Sequence, residues 1–141
     1  MTMKFSASLQ KALFELLNGY EPLVSAGIRI FDAAPHTTRD SSRDTYVTVG
    51  DETVSPWNTS TEPGATHDAV VRVYAPKRGF LSAKIAAAHV HDALASFSLV
   101  LSTGRVVRQE FVTAKTEREA QGALRRIDLT FRFVIEDETI A

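Results

Sequence analysis

The chain has 141 residues, 44% hydrophobic and 23% charged, which suits a single domain over residues 1–141 with a substantial core. Sixteen basic residues against 17 acidic ones leave a net charge of −1. That balance argues against a general nucleic-acid binder, whose affinity rests on excess positive charge facing phosphates. The absence of cysteine excludes a disulfide scaffold, a thiolate zinc site and a cysteine nucleophile.

Residues Met1–Ser8 are polar and carry no apolar stretch of signal-peptide kind, and no apolar run approaches the roughly 18–20 residues of a membrane span. A protein that stays in the cytoplasm is expected, so the Asn58-Thr59-Ser60 sequon is read as chance.

Leu9, Ala12, Leu13, Leu16 and Leu17 fall on one face of a helix, with Ser6 as its N-cap and Asn18-Gly19 as its stop. Pro22 is expected to prevent quick re-entry into helix. A short strand follows at Ile28–Phe31. Asp32–Asp44 is polar and long for a loop inside a compact domain, a length that points to a functional segment or one disordered until bound, with a tolerated surface insertion as the alternative.

Tyr46–Val49 and Thr53–Asn58 read as strand, with Pro56 confined to an edge or a bulge because it lacks a ladder donor. Asn58–His67 reads as a second polar loop centred on Pro63-Gly64. Asp68–Tyr74 alternates as a strand. A helix is expected over Phe80–Phe97, with Ile85, Ala86, His89, Val90, Ala93 and Phe97 on its packing stripe. Lys84, Ala88, His91 and Ala95 lie opposite. Ser98–Ser102, the turn Thr103-Gly104 and Arg105–Thr113 suggest a hairpin. Glu117–Gly122 is read as a connection. In the last strand Ile127, Leu129, Phe131, Phe133 and Ile135 alternate with Arg126, Asp128, Thr130, Arg132 and Val134. The fold class is α+β, a largely antiparallel (mixed) sheet with two helices packed on one face.

The tests for chemistry come out negative. His89 and His91 sit two apart on a helix, about 200° around the axis, and cannot converge on one metal ion. His89 is read as a core or interface histidine and His91 as solvent-facing. There is no Gly-x-Ser-x-Gly turn and no phosphate-cradling glycine cluster. Asp51-Glu52 and Glu136-Asp137-Glu138 read as solvated charge. No catalytic residue, no cofactor, no metal and no membrane contact are expected. Arg105, Arg108, Arg125, Arg126 and Arg132 fall on neighbouring strands. Arg126 and Arg132 share the face opposite Phe131. That face is either a balanced solvent surface, with Asp128 and Glu110 as counter-charges, or a contact or channel surface. No aromatic is read as interleaving with these arginines on that face, so stacking on single strands is not expected.

The order of segments resembles a known family. A Leu-Gln-Lys-Ala-Leu-Phe-Glu-Leu-Leu helix precedes Gly27-Ile28-Arg29-Ile30-Phe31-Asp32-Ala33-Ala34-Pro35. Tyr46-Val47-Thr48-Val49-Gly50, Trp57-Asn58-Thr59, Val71-Arg72-Val73-Tyr74, the helix ending Ala93-Leu94 and Thr130-Phe131-Arg132-Phe133 then follow. This resembles the tail completion (tail terminator) proteins of long-tailed bacteriophages and gene transfer agents, over roughly residues 6–136. One departure is Thr45, where the family often has proline before the tyrosine.

The resemblance implies a non-enzymatic structural protein of the virion tail, assembled in the bacterial cytoplasm. Its copies form a ring, usually a hexamer, that caps the head-proximal end of the tail tube. Implied partners are further copies, the tail tube protein and a neck or head-completion (stopper) protein, with DNA only as passing cargo. On this reading the contact residues are His36, Arg39 and Arg43 in the first loop, Trp57, Asn58 and Glu62 around the second, and Arg126 and Arg132 on the last strand. The alternative is a small-molecule-binding or enzyme-accessory domain with a pocket between the Ile85-side helix and the sheet.

Overall fold

The computed structural model describes residues 2–32, 44–58, 63–76, 80–119 and 124–137. A 3-10 turn over Thr2–Phe5 leads into α1 (Ser6–Asn18) and α2 (Glu21–Ser25). Then come β1 (Arg29–Phe31), β2 (Tyr46–Asn58), β3 (Pro63–Pro76), α3 (Phe80–Ser96), β4 (Arg105–Glu119) and β5 (Leu124–Glu136). The five strands form one sheet in the order β1-β2-β3-β5-β4. Only β1 and β2 pair parallel; the other three pairs are antiparallel. This is the expected α+β architecture, though β5 inserts between β3 and β4 and makes it more than a simple meander.

One face of the sheet carries the core. Ala65, His67, Ala69, Val71, Val73 and Ala75 of β3 are buried, as are Ile127, Leu129, Phe131, Phe133 and Ile135 of β5. The period-2 pattern therefore puts a continuous apolar surface on one side. Against it α1 sets Leu9, Leu13 and Leu17, the stripe its sequence predicts. α3 sets Ala83, Ala86, Ala87, Val90, Ala93 and Leu94. Small side chains on both α3 and β3 let that helix approach the sheet closely.

Local departures from the sequence reading have identifiable causes. Ser6 is not the N-cap of α1. The preceding 3-10 turn delivers helical backbone at Phe5, and no side chain caps the helix. Gly19 stops α1, but at φ −103, outside the left-handed region, with its N–H on the carbonyl of Glu15 and the Tyr20 N–H on that of Leu17. Pro22 does not block helix. It occupies the first turn of α2, where its missing N–H costs nothing.

The second polar segment is mostly strand. Asn58 pairs with Pro63, and β3 runs unbroken from there, so Pro63–His67 are ladder residues. Alternation of Ala65, His67 and Ala69 with Thr66 and Asp68 continues the two-faced pattern, and this overrides the turn signal of Pro63-Gly64. Pro56 lies where expected, because β1 covers only Tyr46–Thr48 and leaves the rest of β2 as a sheet edge. Gly50, at φ 134, sits in the register shift between Thr48 and Asp51.

Ser98–Ser102 is not a strand, and β4 pairs with β5 instead of with it. The segment is anchored by Gln109. Its Oε1 accepts from the Leu99 N–H at 3.1 Å, and its Nε2 donates to the carbonyls of Leu94 and Phe97 at 2.7 and 2.8 Å. Leu99 and Leu101 are buried there. Glu117–Glu119 belong to β4, not to the connection after it. The packing stripe of α3 is also rotated from the expected one: Ile85 and Phe97 are exposed, and Ala83, Ala87 and Leu94 are buried in their place.

Candidate interaction face

Among the described residues no helix covers the second face of the sheet, and that face is rich in charge. Pairing register places Asp51 of β2, Asp68 and Arg72 of β3, Arg126, Asp128, Arg132 and Glu136 of β5, and Arg105, Arg108, Glu110, Lys115 and Glu117 of β4 on this side. The six cations and six acids all meet opposite charge. Arg72 pairs with both Asp51 and Asp128, Arg105 with Glu136, and Arg132 with Asp68. Arg126 pairs with Asp128, Arg108 with Glu110, and Lys115 with Glu117. The result is an ordered, electrically balanced lattice spanning four strands.

Two geometries stand out within it. Arg132 Nε and Nη2 donate to Asp68 Oδ1 and Oδ2 at 2.8 and 3.0 Å, a fork-on-fork pair. These hydrogen bonds, and then the charge of Asp68, raise the Arg132 pKa above its ordinary value. The hydrogen bond from Lys115, and then its charge, lower the Glu117 carboxyl below the usual range. Arg126 Nε lies 2.8 Å from Asp128 Oδ1, and its Nη2 donates to Asp128 Oδ2 at 3.1 Å.

Arg126 and Arg132 therefore share the face the sequence assigns them, with Asp128 on Arg126 and Glu110 across from Arg132. The other contact expectations are less accessible. His36, Arg39, Arg43 and Glu62 lie outside the described residues. Trp57 and Asn58 end β2, where their backbones pair with Gly64 and Pro63, and their side chains are not described.

Aromatics do border this face, contributed by strands distant in sequence. Tyr46 and Tyr74 stack at 4.9 Å, and Tyr74 is the cross-strand neighbour of Arg126. Tyr74 follows Arg72 by two along β3 and so shares its face within one segment, whereas Tyr46 and Arg126 join them only through strand register. Thr45, the position that departs from the family pattern, sits 2.7 Å through Oγ1 from Ser82 Oγ in the first turn of α3. Proline could not make that tether.

The histidines are placed as follows. His89 is half-buried on α3, outside the core, which leaves the interface alternative of the sequence reading. His91 does not simply face solvent; its ring meets Phe111 edge-on at 5.0 Å. Among the described histidines His67 is the fully buried one, with Nδ1 2.8 Å from Glu52 Oε1 and its ring against Phe5. Glu52 thus faces inward rather than into solvent. Among the described residues no group of three or more His, Asp or Glu is placed to hold a metal. No described helix is long and apolar enough to cross a membrane.

Among the described residues, clefts on the helix side include two of some size. One of about 640 Å³ is lined by Ala7, Gln10, Lys11, Phe14, Ile30, Phe31 and Asp32. Another of about 530 Å³ is bounded by Ala26, Gly27, Ile28, Asp44, Thr45, Leu81, Ser82 and Ile85. Neither contains Glu117 or Arg132, the groups with displaced pKa values, and neither gathers the converging acids and bases of a catalytic site.

Comparison with known proteins agrees with the architecture. No curated protein matches the chain. A chain in a solved structure described as the virion of a native gene transfer agent (GTA) particle is 38% identical, with a TM-score of 0.81 over 94% of this chain and 98% of that one. The family described as tail completion protein gp17 matches residues 11–136, a span holding the larger part of α1, the whole sheet and the charge lattice. The segment order noted in the sequence is thus borne out, and the chain belongs to the tail completion protein gp17 family.

Proposed function

We propose that this protein is a non-enzymatic structural component of a virion tail, whose copies form a ring, a hexamer, that caps the head-proximal end of the tail tube. It is assembled in the bacterial cytoplasm and stays in the particle at the head–tail interface. Its partners are further copies, the tail tube protein and a neck or head-completion protein. Family membership across residues 11–136 and likeness to a chain from a gene transfer agent virion support this reading.

The observation that carries it is the balanced lattice. A sheet face with six cations each held by an acid presents no excess charge to a passing polyanion. Lining a channel with such a face lets DNA pass without the counterion-release affinity that unpaired lysines and arginines create. Arg126 and Arg132 act here as members of the lattice. His36, Arg39, Arg43, Trp57, Asn58 and Glu62 are assigned to contacts with the neighbouring tail components.

Deleting the gene in the producing strain tests the role. The expected outcome is tails that lack a terminated, head-joined end and particles that do not deliver DNA. Intact, infective or transfer-competent particles without the protein would overturn it.

A further inference from the structure

His67 is a buried titratable group that neither the charge lattice nor a ring contact uses. It lies on the core face of β3, fully buried, flanked on that face by the small side chains of Ala65 and Ala69. Val54 of β2 and Phe133 of β5 are its neighbours across the ladder. From the helix side the Thr2–Phe5 turn packs on β2 and β3. It sets the Phe5 ring edge-on against the imidazole, with 6.4 Å between centroids.

The two ring nitrogens have opposite surroundings. Nδ1 lies 2.8 Å from Glu52 Oε1, and a carboxylate only accepts, so Nδ1 carries a proton and donates it. Nε2 is buried and, among the described residues, has no hydrogen-bond partner. Without a proton it is a neutral acceptor left in apolar surroundings. With one it becomes the N–H of a cation with nothing to accept it, the costlier state of the two. The closed structure thus accommodates a neutral ring, and a second proton at Nε2 calls for contact with water.

What yields is set by how each packed element is held. β2, β3 and β5 are laddered to one another on both sides of His67. The turn is four residues long, and no side chain caps the helix it enters. Besides Phe5, it is held by the Lys4–Asp137 pair at 2.7 Å and by Ser8 Oγ, which lies 2.9 Å from the Thr103 carbonyl. An exposed ion pair of this kind is a weak restraint. Among the described residues the charged groups around the ring and the turn are Glu52 from β2, Lys4 in the turn and Asp137 after β5. β5 otherwise brings Phe133 and Ile135, α1 brings Ser8 and Leu9, and the segment before β4 brings Gly104.

We propose that His67 and the Thr2–Phe5 turn form a proton-operated latch. When Nε2 takes a second proton from solvent, the turn lifts, Phe5 leaves its place against Gly104 and Ile135, and water accepts from the new N–H. Glu52 keeps its hydrogen bond to Nδ1 and holds the imidazolium on the sheet, so the turn moves and the ring does not. The latch is a property of the single chain and stands apart from the ring reading.

Two-dimensional NMR of the full chain reads both halves of the device. The His67 ring nitrogen shifts report its protonation, and cross-relaxation between the Phe5 ring and Gly104 reports the closed turn. Over the range in which histidines switch, about pH 8 to 5, the second proton and the loss of the Phe5–Gly104 signal are expected at one midpoint, with the β3–β5 ladder amides unmoved. His67→Gln, whose amide still donates to Glu52 but takes no proton, is expected to keep the signal throughout. A Phe5–Gly104 signal that survives double protonation of His67 would overturn the latch. So would a ring that takes no second proton in that range, or the same loss of signal in His67→Gln. The wild-type titration decides the first two outcomes by itself, so the test stands even where His67→Gln does not fold.

Discussion

Arg132 on β5 and Asp68 on β3 are joined across the open sheet face by two parallel hydrogen bonds of 2.8 and 3.0 Å. The pair lies in a row with Thr53 of β2 and Glu110 of β4, so one geometric unit ties four strands. Exchanging the partners as Asp68→Arg/Arg132→Asp keeps one charge of each sign. Each single substitution is expected to lower the unfolding temperature and the double variant to recover part of the loss. A double-mutant cycle in thermal unfolding measures the coupling. Strictly additive singles would mean the pair contributes nothing.

Phe133 is fully buried on the other face of the same strand, directly beneath the helix layer. Phe133→Ala removes ring volume that α1 and α3 cannot close over, and a loss of about 3–5 kcal/mol is expected. That is a large part of the roughly 5–15 kcal/mol that holds an ordinary domain. Denaturant unfolding is the measurement.

Gly104 and Gly27 separate strain from crowding. Both have left-handed backbone, at φ 89 and φ 74. A Cβ on Gly27 meets nothing within 4 Å, whereas one on Gly104 falls 2.5 Å from a Phe5 ring atom and 2.8 Å from Ile135. Gly27→Ala should cost about 1–2 kcal/mol of backbone strain alone. Gly104→Ala should cost clearly more, because the 3-10 turn bearing Phe5 must move. Equal costs for the two variants would rule out the close packing of Phe5 on Gly104.

Gln109 carries three hydrogen bonds that fasten the end of α3 and the segment after it. Gln109→Leu leaves those backbone groups without their partner, at about 1–3 kcal/mol. The effect should be local: amide exchange at Phe97 and Leu99 speeds up while the β3–β5 ladder stays protected.

Glu117 provides the pH prediction. Its carboxyl is held low first by the hydrogen bond from Lys115 and then by that residue's charge. A carboxyl whose folded pKa is depressed stabilises above its unfolded value, and that stabilisation is lost as pH falls through the folded value. NMR titration should find Glu117 below ordinary glutamates, and Lys115→Met should return it toward them. The window therefore opens at the ordinary glutamate range and extends downward.

Much of the architecture was legible because burial and period coincide. The leucines of α1 and the alternation of β5 could bury their apolar sets in only one way, and the two arginines of β5 necessarily shared the other face. The misreadings fall where local chemistry was outweighed by neighbours distant in sequence. Pro63-Gly64 signalled a turn, yet pairing with Asn58 and Glu136 extended the strand. Ser98–Ser102 had strand-like residues, but a single glutamine eleven residues beyond Ser98 claimed its backbone. The rotation of α3 depended on which alanines met the sheet, and alanine spacing does not reveal that. The lattice was half visible: the β5 charges were in plain sequence, whereas their partners came from β2, β3 and β4, and only register brings them together.

The proposed function stands on a closed ring of this protein at the tail end nearest the head. Averaged electron micrographs of purified particles, with the protein located by a bound antibody fragment, are the decisive measurement. Six copies in one ring between the tail tube and the neck are expected, with the antibody label at that level only. Label along the tail shaft, or a single copy at the junction, would contradict it.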